Sequence, residues 1–547
     1  TLIDHFRVYA FPDAQLGDIP CTVHLVAGTE SPFYETDVEI DLSLSLNQFG
    51  YPITGINIKS SPMIADLDGN SYSEIYFGGE DDKLHGYMIA GMTQYGFPFE
   101  CGGNVRSSPA GGDVDGDGEN EIVFGSHDGN LYILSTTGIQ ELAYTQAGYI
   151  VGAPALFDLD GDEDLEIIFT TQNGSNGKVY AIHHDGNDVD GFPIDISEKM
   201  LVGAAVGDLE GDGSPDIVVV TWEDHIYAFN ADGTTKSGFP FLASNRFNSP
   251  ATLVDLDDDG DLEIVAGNDD GDLYILHHDG SVMTTFSTGD DIRGGISVAD
   301  VNDDGSKELL FVGYDDLLHV WNPASGEELE GWPFDLGYNS LSGPITADLD
   351  NDGDLEIVAA MKSGTVFVFH HDGSMFNNFP TNFAGNIEST PTIGDLDNDG
   401  DFELVFGTTQ GLQVIDIKSN AGSRDSWKMH RGNLYRNGLY DITLVSIEPD
   451  KDILPGEFFV SQNYPNPFNP TTNVNIQLPE QNNLIVSIYD VSSRLINTLV
   501  DEKLDAGFYS IEWNGKDKFG QAVPTGVYFM KVVSGDFTAT KKMVYIK

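Results

Sequence analysis

The stretch DLDDDGDLEIVAG at residues 255–267 joins an acidic, glycine-containing loop to a run of apolar, partly β-branched residues. Phrases of this kind occur eight times, and successive copies start 47, 45, 50, 47, 45, 48 and 47 residues apart. So regular a period predicts one supersecondary unit that is repeated eight times. The copies start at Asp66, Asp113, Asp158, Asp208, Asp255, Asp300, Asp348 and Asp395.

Each repeat is predicted to form four short strands. A Ser-Pro or Gly-Pro step, as at 108–109, leads through a short apolar segment into the acidic loop and then into a β-rich run such as 121–125. An Asp-Gly turn and the alternating strand 131–134 follow, and after a second turn comes a fourth strand that in several repeats ends in Gly-Phe-Pro, as at 96–98. Four-stranded antiparallel units without helical periodicity are typical of β-propeller blades.

The ends of the array predict how the ring closes. The eighth repeat ends near Ile417 without a Gly-Phe-Pro strand of its own, whereas residues 46–52 resemble a fourth strand that stands before the first repeat. We expect this N-terminal strand to complete the last blade. The prediction is an all-β chain with an eight-bladed β-propeller over residues 44–440, in preference to seven blades or an open solenoid.

The acidic loops carry oxygen-bearing side chains at positions one, three, five and nine, and a main-chain carbonyl at position seven. Of these 32 side chains, 30 are Asp or Glu, and Asn70 and Asn302 still offer a carbonyl oxygen. Such a donor set favours Ca²⁺, in up to eight copies. The predicted ligands are Asp66, Asp68, Asn70, Glu74, Asp113, Asp115, Asp117, Glu121, Asp158, Asp160, Asp162, Glu166, Asp208, Glu210, Asp212, Asp216, Asp255, Asp257, Asp259, Glu263, Asp300, Asn302, Asp304, Glu308, Asp348, Asp350, Asp352, Glu356, Asp395, Asp397, Asp399 and Glu403.

Other interpretations of these loops explain less. An isolated Asp-Gly loop is often a solvated turn, but a turn does not need four carboxylates, which repel one another without a cation. An EF-hand needs a Glu at position twelve, where these copies have residues such as Phe124 or Ala266. No His or Cys occupies a ligand position within the loop to favour Zn²⁺. The fourth loop, with Glu210 and Asp216, is the least regular.

In these loops the chain resembles the FG-GAP/VCBS repeat family, whose integrin-like propellers follow the pattern Asp-x-Asp-x-Asp-Gly-x-x-Asp/Glu. The resemblance covers residues 44–440 in register. It implies structural calcium and an extracellular setting. It implies no single ligand, because the family serves adhesion, recognition and enzyme accessory roles, so an extracellular protein or a glycan is the expected partner.

The composition excludes some partners. Asp and Glu outnumber Lys and Arg by 89 to 25, which gives a formal charge of -64 that repels nucleic acid and anionic membranes. No stretch approaches 18 consecutive apolar residues, so no transmembrane segment is predicted. Cys21 and Cys101 could form one disulfide or remain two buried thiols. The start at Thr1 lacks a signal peptide, and we expect a piece of a longer protein.

The two ends predict further domains. Residues 441–458 are a predicted linker, and residues 459–547, with strands at 484–490, 509–513 and 526–530, a small Ig-like β-sandwich. Residues 1–43 alternate like strands and are predicted to be the C-terminal part of another Ig-like domain. An upstream enzyme, such as a protease, therefore stays open.

The C-terminal domain also resembles the sorting domain of type IX secretion substrates. The shared features are the opening NYPNPFNP at 463–470, the strand GVYF at 526–529 and the ending KKMVYIK at 541–547. The opening alone could be a polyproline spacer. The resemblance implies the type IX machinery as a partner and a secreted or surface-attached protein of a Bacteroidetes-like bacterium, from which the domain is often cleaved.

Candidate catalytic features are weak. His-His-Asp-Gly occurs at 183–186, 277–280 and 370–373, but adjacent strand residues face opposite sides, so a structural role is predicted. Trp222, Trp321 and Trp332 are expected to pack in the core or at the surface, not to hold a quinone. We predict a binding, adhesion or scaffolding module that is not an enzyme. The alternatives are a calcium-dependent polysaccharide lyase, part of a larger secreted enzyme, or a surface-layer or filament component.

Overall fold

The computed structural model describes residues 17–27, 34–70, 72–146, 148–174, 176–424, 426–440, 458–460, 468, 472–478, 481–492, 494–504, 507–519, 521, 523–535 and 537–546. In these residues the chain is all-β, and its one helical element is the 3-10 turn Ile89–Gly91. No described helix is long and apolar enough to cross a membrane. The chain divides into two compact units, with the boundary between Ile447 and Glu448.

The first unit contains eight sheets of four or five strands in its described part. The first four sheets are built from Met63–Ala65, Glu74–Gly78, Lys83–Met88, Met92–Thr93 and Phe99–Glu100; Ala110–Gly112, Glu121–Gly125, Asn130–Ser135 and Gln140–Thr145; Ala155–Phe157, Glu166–Asn173, Asn176–Ile182 and Ile194–Ile196; and Ala205–Gly207, Asp216–Val220, His225–Asn230 and Phe241–Leu242.

The remaining four sheets repeat the same order. They are built from Thr252–Val254, Glu263–Gly267, Asp272–Leu276 and Val282–Ser287; Ser297–Ala299, Glu308–Val312, Leu317–Asn322, Glu327–Glu328 and Phe334–Asp335; Ile345–Ala347, Glu356–Ala360, Thr365–Phe369 and Thr381–Asn382; and Thr392–Gly394, Asp401–Thr408, Gly411–Asn420 and Ile53–Thr54. Every neighbouring pair is antiparallel, as the sequence predicts.

The eighth sheet closes on a strand from the N-terminal side, as predicted, but this strand is Ile53–Thr54. It follows the predicted residues 46–52, which contribute only an isolated bridge from Asn47 to Ile415 and single hydrogen bonds. Ile53 pairs with Leu412, and the amide of Gln48 donates to the carbonyl of Val414 at 2.9 Å. The eighth sheet also adjoins the first, because the amide of Thr390 donates to Ser61 Oγ at 2.9 Å. The sheets therefore follow one another in a circle, and the first strands of neighbouring sheets touch at its centre.

The Gly-Phe-Pro motif lies elsewhere than predicted. The sequence places it at the end of the fourth strand, but in the structure it precedes the outer strands Phe99–Glu100, Ile194–Ile196 and Phe241–Leu242. The reason is a contact with the next sheet: Gly96 has φ +83°, and a Cβ on it would come within 1.8 Å of the Thr137 carbonyl. Glycine lets the chain turn against the neighbouring sheet before the outer strand begins.

Residues 426–440, the central segment, run through the middle of the ring. Their carbonyl groups accept hydrogen bonds from backbone amides in the first strands of six sheets, at 2.9–3.1 Å. The donor and acceptor pairs are Thr346 and Trp427, Ile393 and Lys428, Gly111 and Leu434, Leu156 and Tyr435, Val206 and Asn437, and Leu253 and Gly438. The centre of the propeller is thus filled by its own chain.

Two buried arginines anchor this segment. Arg436 donates from Nε to the Pro109 carbonyl at 3.0 Å and from Nη2 to the Pro62 carbonyl at 2.9 Å. Arg431 donates to the carbonyls of Gly203 and Ala204. Burial lowers the pKa of both guanidinium groups to about 9, so both keep their charge at neutral pH. The cavity beside Arg431 measures only about 10 Å³, room for roughly one water.

The second unit contains two described sheets. Separately, the chain before the propeller forms a hairpin. The sheets consist of Phe459–Val460, Thr472–Leu478 and Gly507–Trp513, and of Leu495–Leu504, Asn482–Asp490, Gly526–Ser534 and Phe537–Tyr545. Buried Trp513, Phe468 and Met530 share their core, as expected for a sandwich. The hairpin pairs Gly17–Ala27 with Tyr34–Leu44. The predicted linker up to residue 457 and most of the 463–470 opening lie outside the described residues.

Candidate metal centres

The eight acidic loops occupy one equivalent position in the fold. Each loop connects the first strand of a sheet to the second, and its ninth residue lies at or near the start of that second strand. The ninth carboxylates are all buried, with 0–3% of each residue exposed. The sequence-predicted ligands of each loop therefore surround a buried carboxylate at the rim of a sheet.

The first carboxylate of a loop shapes its backbone. Asp113 accepts the amide of Asp117 on Oδ1 at 3.1 Å and the amide of Gly118 on Oδ2 at 2.9 Å. Asp208 and Asp300 make the same two bonds in their loops. These bonds turn the loop back on itself, which brings the odd-numbered side chains toward one point.

The ninth carboxylate ties the loop to its sheet. In seven loops, one of its oxygens accepts the amide of the second loop residue at 2.6–3.2 Å, as Glu121 does from Val114. The second residue is buried in every loop. One oxygen of the ninth carboxylate thus has a structural partner in the backbone of its own loop.

The loops are also joined to one another around the ring through their eighth residues. The amides of Leu165, Leu262 and Leu355 donate to the carbonyl of the second residue in the preceding loop, at 2.9–3.4 Å. Side chains at the same position make further links, with Ser73 donating to the Asp395 carbonyl and Lys307 pairing with Asp258. A change in one loop is therefore transmitted directly to the neighbouring sheet.

Ligand atoms converge within these loops. Asp66, Asp68 and Glu74 in the first loop, and the carboxylates 397, 399, 401 and 403 in the eighth, each place oxygens within 4.8 Å of one another. Several buried oxygens there have no hydrogen-bond donor in the described structure. They are Asp255 Oδ1, Asn302 Oδ1, Asp348 Oδ1, Asp350 Oδ1, Asp395 Oδ1, Asp397 Oδ1 and Glu403 Oε1. Unpaired buried oxygens at predicted ligand positions suit a hard cation.

The electrostatics point the same way. Burial, with neighbouring carboxylates adding to it, raises the pKa of Glu356 to about 8 and that of Glu403 to about 9. The same causes raise the pKa of Glu121 and Glu308 to about 7. Without a compensating positive charge, these sites hold their negative charge only at a cost at neutral pH.

In three loops, histidines of the same repeat contact the carboxylates. These contacts were not predicted from the sequence. His183, His277 and His370 place Nδ1 at 2.9–3.3 Å from the ninth Glu of their repeat. The second histidine of each pair lies 2.8–3.0 Å from the seventh residue of the same loop. Both rings reach one loop because the pair lies where the third strand turns, so the argument from alternating strand faces was wrong. The one sequence feature that indicated these contacts was the recurrence of the His-His pair in the third, fifth and seventh repeats.

The fourth loop differs from the others. The ammonium of Lys236 lies 2.7 Å from Asp216 Oδ2 and 2.8 Å from Glu210 Oε2. The Lys236 and Asp216 side chains are 4% and 2% exposed. Ligand positions three and nine of this loop therefore already face a cation that belongs to the chain.

The three tryptophans lie in the core or at the surface. Trp321 and Trp332 are buried in two hydrophobic clusters, as the sequence predicts. Trp222 is half-buried beneath the ammonium of Lys199, which lies 3.3 Å from its ring centroid. Arg246, which also lies over the Trp222 ring, pairs with the buried Asp269, and so does Arg293; no single sequence segment reveals this grouping.

Comparison with known families identifies two kinds of module. Residues 158–219, 300–359 and 348–406 match the FG-GAP-like repeat, and each match begins at the first residue of an acidic loop. Residues 462–536 match the FlgD Ig-like domain. No curated protein sequence matches the chain.

The chain is similar to several solved structures at low identity. BBS1N in complex with ARL6DN is 14% identical, with a TM-score of 0.42, and the match covers 59% of this chain and 95% of that one. BamB from Moraxella catarrhalis is 16% identical, with a TM-score of 0.36 and coverages of 56% and 95%. Quinohemoprotein alcohol dehydrogenase from Comamonas testosteroni is 10% identical, with a TM-score of 0.47 and coverages of 68% and 75%.

Proposed function

We propose that this chain is a secreted or cell-surface β-propeller that uses calcium to lock its blades together and serves as a binding, adhesion or scaffolding module. The observation that carries the proposal is the convergence of unpaired, buried carboxylate oxygens in loops that are linked through their eighth residues. Donor sets dominated by carboxylate oxygens, as in these loops, prefer Ca²⁺.

Different positions of the loop have different structural roles. The first carboxylate holds the turn, the ninth carboxylate joins the loop to its own sheet, and in the third, fifth and seventh loops the amide of the eighth residue joins the loop to the preceding one. A calcium ion supplies the positive charge that lets these carboxylates stay ionised together. Ordering one loop therefore strengthens the contact between two sheets. The first, third, fifth and ninth side chains are the proposed ligands.

The proposed role outside the cell follows from the same chemistry. Loops of this type are filled where calcium is abundant, as it is in extracellular fluid. The proposed route is type IX secretion by means of the C-terminal domain, supported by the sequence features at 526–529 and 541–547. A non-catalytic role is supported by the centre of the ring, where the chain itself occupies the space that a cofactor would need.

Counting bound ions tests the calcium role. The full chain is dialysed against Ca²⁺, and its metal content is measured by mass spectrometry. We expect Asp257→Ala in the fifth loop to lose about one ion, because Asp257 is a proposed ligand. The neighbouring Asp258→Asn is the matched control, since Asp258 is exposed and pairs with Lys307, and it should lose none. A wild-type chain without bound calcium contradicts the proposal.

Deleting the C-terminal domain tests the export route. In a bacterium with type IX secretion, the chain without residues 459–547 should stay inside the outer membrane, whereas the full chain reaches the medium or the cell surface. Cell fractionation followed by immunoblotting distinguishes the two results. The Asp257→Ala chain, which keeps the domain, is the control for a general export defect. Equal export of the truncated chain contradicts the assignment.

A further inference from the structure

The fourth loop departs from the other seven at three positions at once. Its third residue is Glu210 where the others have Asp or Asn, its ninth is Asp216 where the others have Glu, and a buried lysine, Lys236, pairs with both of these residues. Lys236 Nζ lies 2.8 Å from Glu210 Oε2 and 2.7 Å from Asp216 Oδ2. The Arg424 guanidinium also approaches the sixth loop, but it pairs with Asp300 and Asp303 and not with the third or ninth residue.

The position of Lys236 has counterparts in the other sheets, which shows what it replaces. Its amide donates to the carbonyl of Ala228, and Gln94 and Val189 make the same bond to the third strands of the first and third sheets. Gln94 points its amide at the third loop residue, with Nε2 at 3.4 Å from Asp68 Oδ2. Gln48 does the same toward Asp397. Gln94, Gln48 and Lys236 thus each contact the acidic loop of their own sheet from this position, whereas Val189 packs in the hydrophobic core.

We propose that Lys236 is the resident cation of the fourth loop, so that this loop takes no calcium while the other seven do. The inference rests on the proposed calcium role of those seven loops. A glutamine at this position can offer its carbonyl oxygen to an ion, whereas an ammonium group offers only donors and repels one. Lys236 is buried with Asp216, while its second partner Glu210 is exposed, and its charge supplies locally what calcium supplies elsewhere.

A second feature of the fourth loop fits this division. Its eighth residue is Pro215, which has no amide hydrogen and cannot make the backbone link to the preceding loop that Leu165, Leu262 and Leu355 make. The fourth loop is therefore also uncoupled from the third at the position through which ion binding is passed along the ring. We expect it to keep its structure when calcium is removed.

Ion counting on three chains tests the inference. Wild type should bind seven calcium ions, one for each of the eight loops except the fourth. Lys236→Gln should gain one ion, because it frees the carboxylates of Glu210 and Asp216. Gln94→Lys, the matched reverse change, should lose one ion by placing an ammonium at the first loop. Eight ions in wild type, or no gain in Lys236→Gln, overturns the inference and leaves the calcium role intact.

A second measurement tests the role of Lys236 even if the other loops bind no calcium. In excess chelator, Lys236→Gln should melt below wild type, because Asp216 is then buried without a positive partner. Hydrogen exchange should show that residues 208–216 of wild type keep their protection in chelator. An unchanged melting temperature of Lys236→Gln in chelator overturns the inference, whether or not the other loops bind calcium.

Discussion

Excess EGTA will lower the melting temperature of the propeller by about 15 °C relative to the same protein in 2 mM Ca²⁺. At an assumed affinity of about 10⁻⁴ M, typical of extracellular modules, each filled loop contributes about 1.8 kcal/mol. Seven loops then contribute about 12 kcal/mol, against an unfolding entropy of about 0.8 kcal/mol/K for a propeller of about 400 residues. The loops act together because their eighth residues join neighbouring sheets.

Differential scanning calorimetry measures this shift directly. Adding Ca²⁺ back in excess over EGTA should restore the original transition, and an equal concentration of Mg²⁺ should restore much less, because Mg²⁺ demands a stricter octahedral geometry. The C-terminal Ig-like unit contains none of the proposed calcium loops, so any separate transition of that unit should not move. A shift of the propeller below about 3 °C would mean that the loops do not depend on a metal.

Arg436→Met will destabilise the propeller by about 5 kcal/mol, since it removes three hydrogen bonds from a charged donor at about 1.5 kcal/mol or more each. The lost partners are the carbonyls of Pro62, Pro109 and His430, in or beside the first and second sheets and in the central segment. Those carbonyls lie in the interior, where water cannot readily replace the guanidinium. The change therefore acts on the centre of the ring.

Urea denaturation followed by tryptophan fluorescence gives the size of the effect. Arg436→Lys keeps the charge but not the fork of donors, and it should recover only part of the lost stability. Lys178→Met, which removes a surface ion pair with Asp195, is the control and should leave the midpoint unchanged. If Arg436→Met unfolds at the wild-type urea concentration, the central segment is not a structural anchor.

The repeat was predictable because its signals are local. A loop such as 255–267 carries its turn, its ligand spacing and the following strand within thirteen residues. That an N-terminal strand closes the eighth sheet could be inferred from what the eighth repeat lacks, although the strand begins at Ile53, just after the predicted residues 46–52. The strand pairs agree with those expectations. Local patterns of this kind are what sequence reasoning detects best.

The central segment and Lys236 were not predicted, because their roles depend on contacts far apart in the chain. Arg431 donates to the carbonyl of Gly203, 228 residues away, and the sequence around Arg431 gives no indication of that partner. Lys236 lies twenty residues after Asp216, in the connection between the third and fourth strands of its sheet, and sequence alone does not tell an internal cation from a surface lysine. The Gly-Phe-Pro motif was misplaced for a similar reason, since its glycine responds to the neighbouring sheet.

The central segment has a mechanical consequence. A pull on the chain beyond residue 440 is resisted first by backbone bonds to several sheets, among them those of Val206 and Leu253. The load is shared around the ring before any outer strand bears it alone. By contrast, a propeller whose ring is held together only by its closing strand would begin to unfold at that strand under the same force. If such a protein were anchored through its C-terminus and placed under tension, the hydrogen bonds at the centre of the ring would bear the force before those of the outer strands.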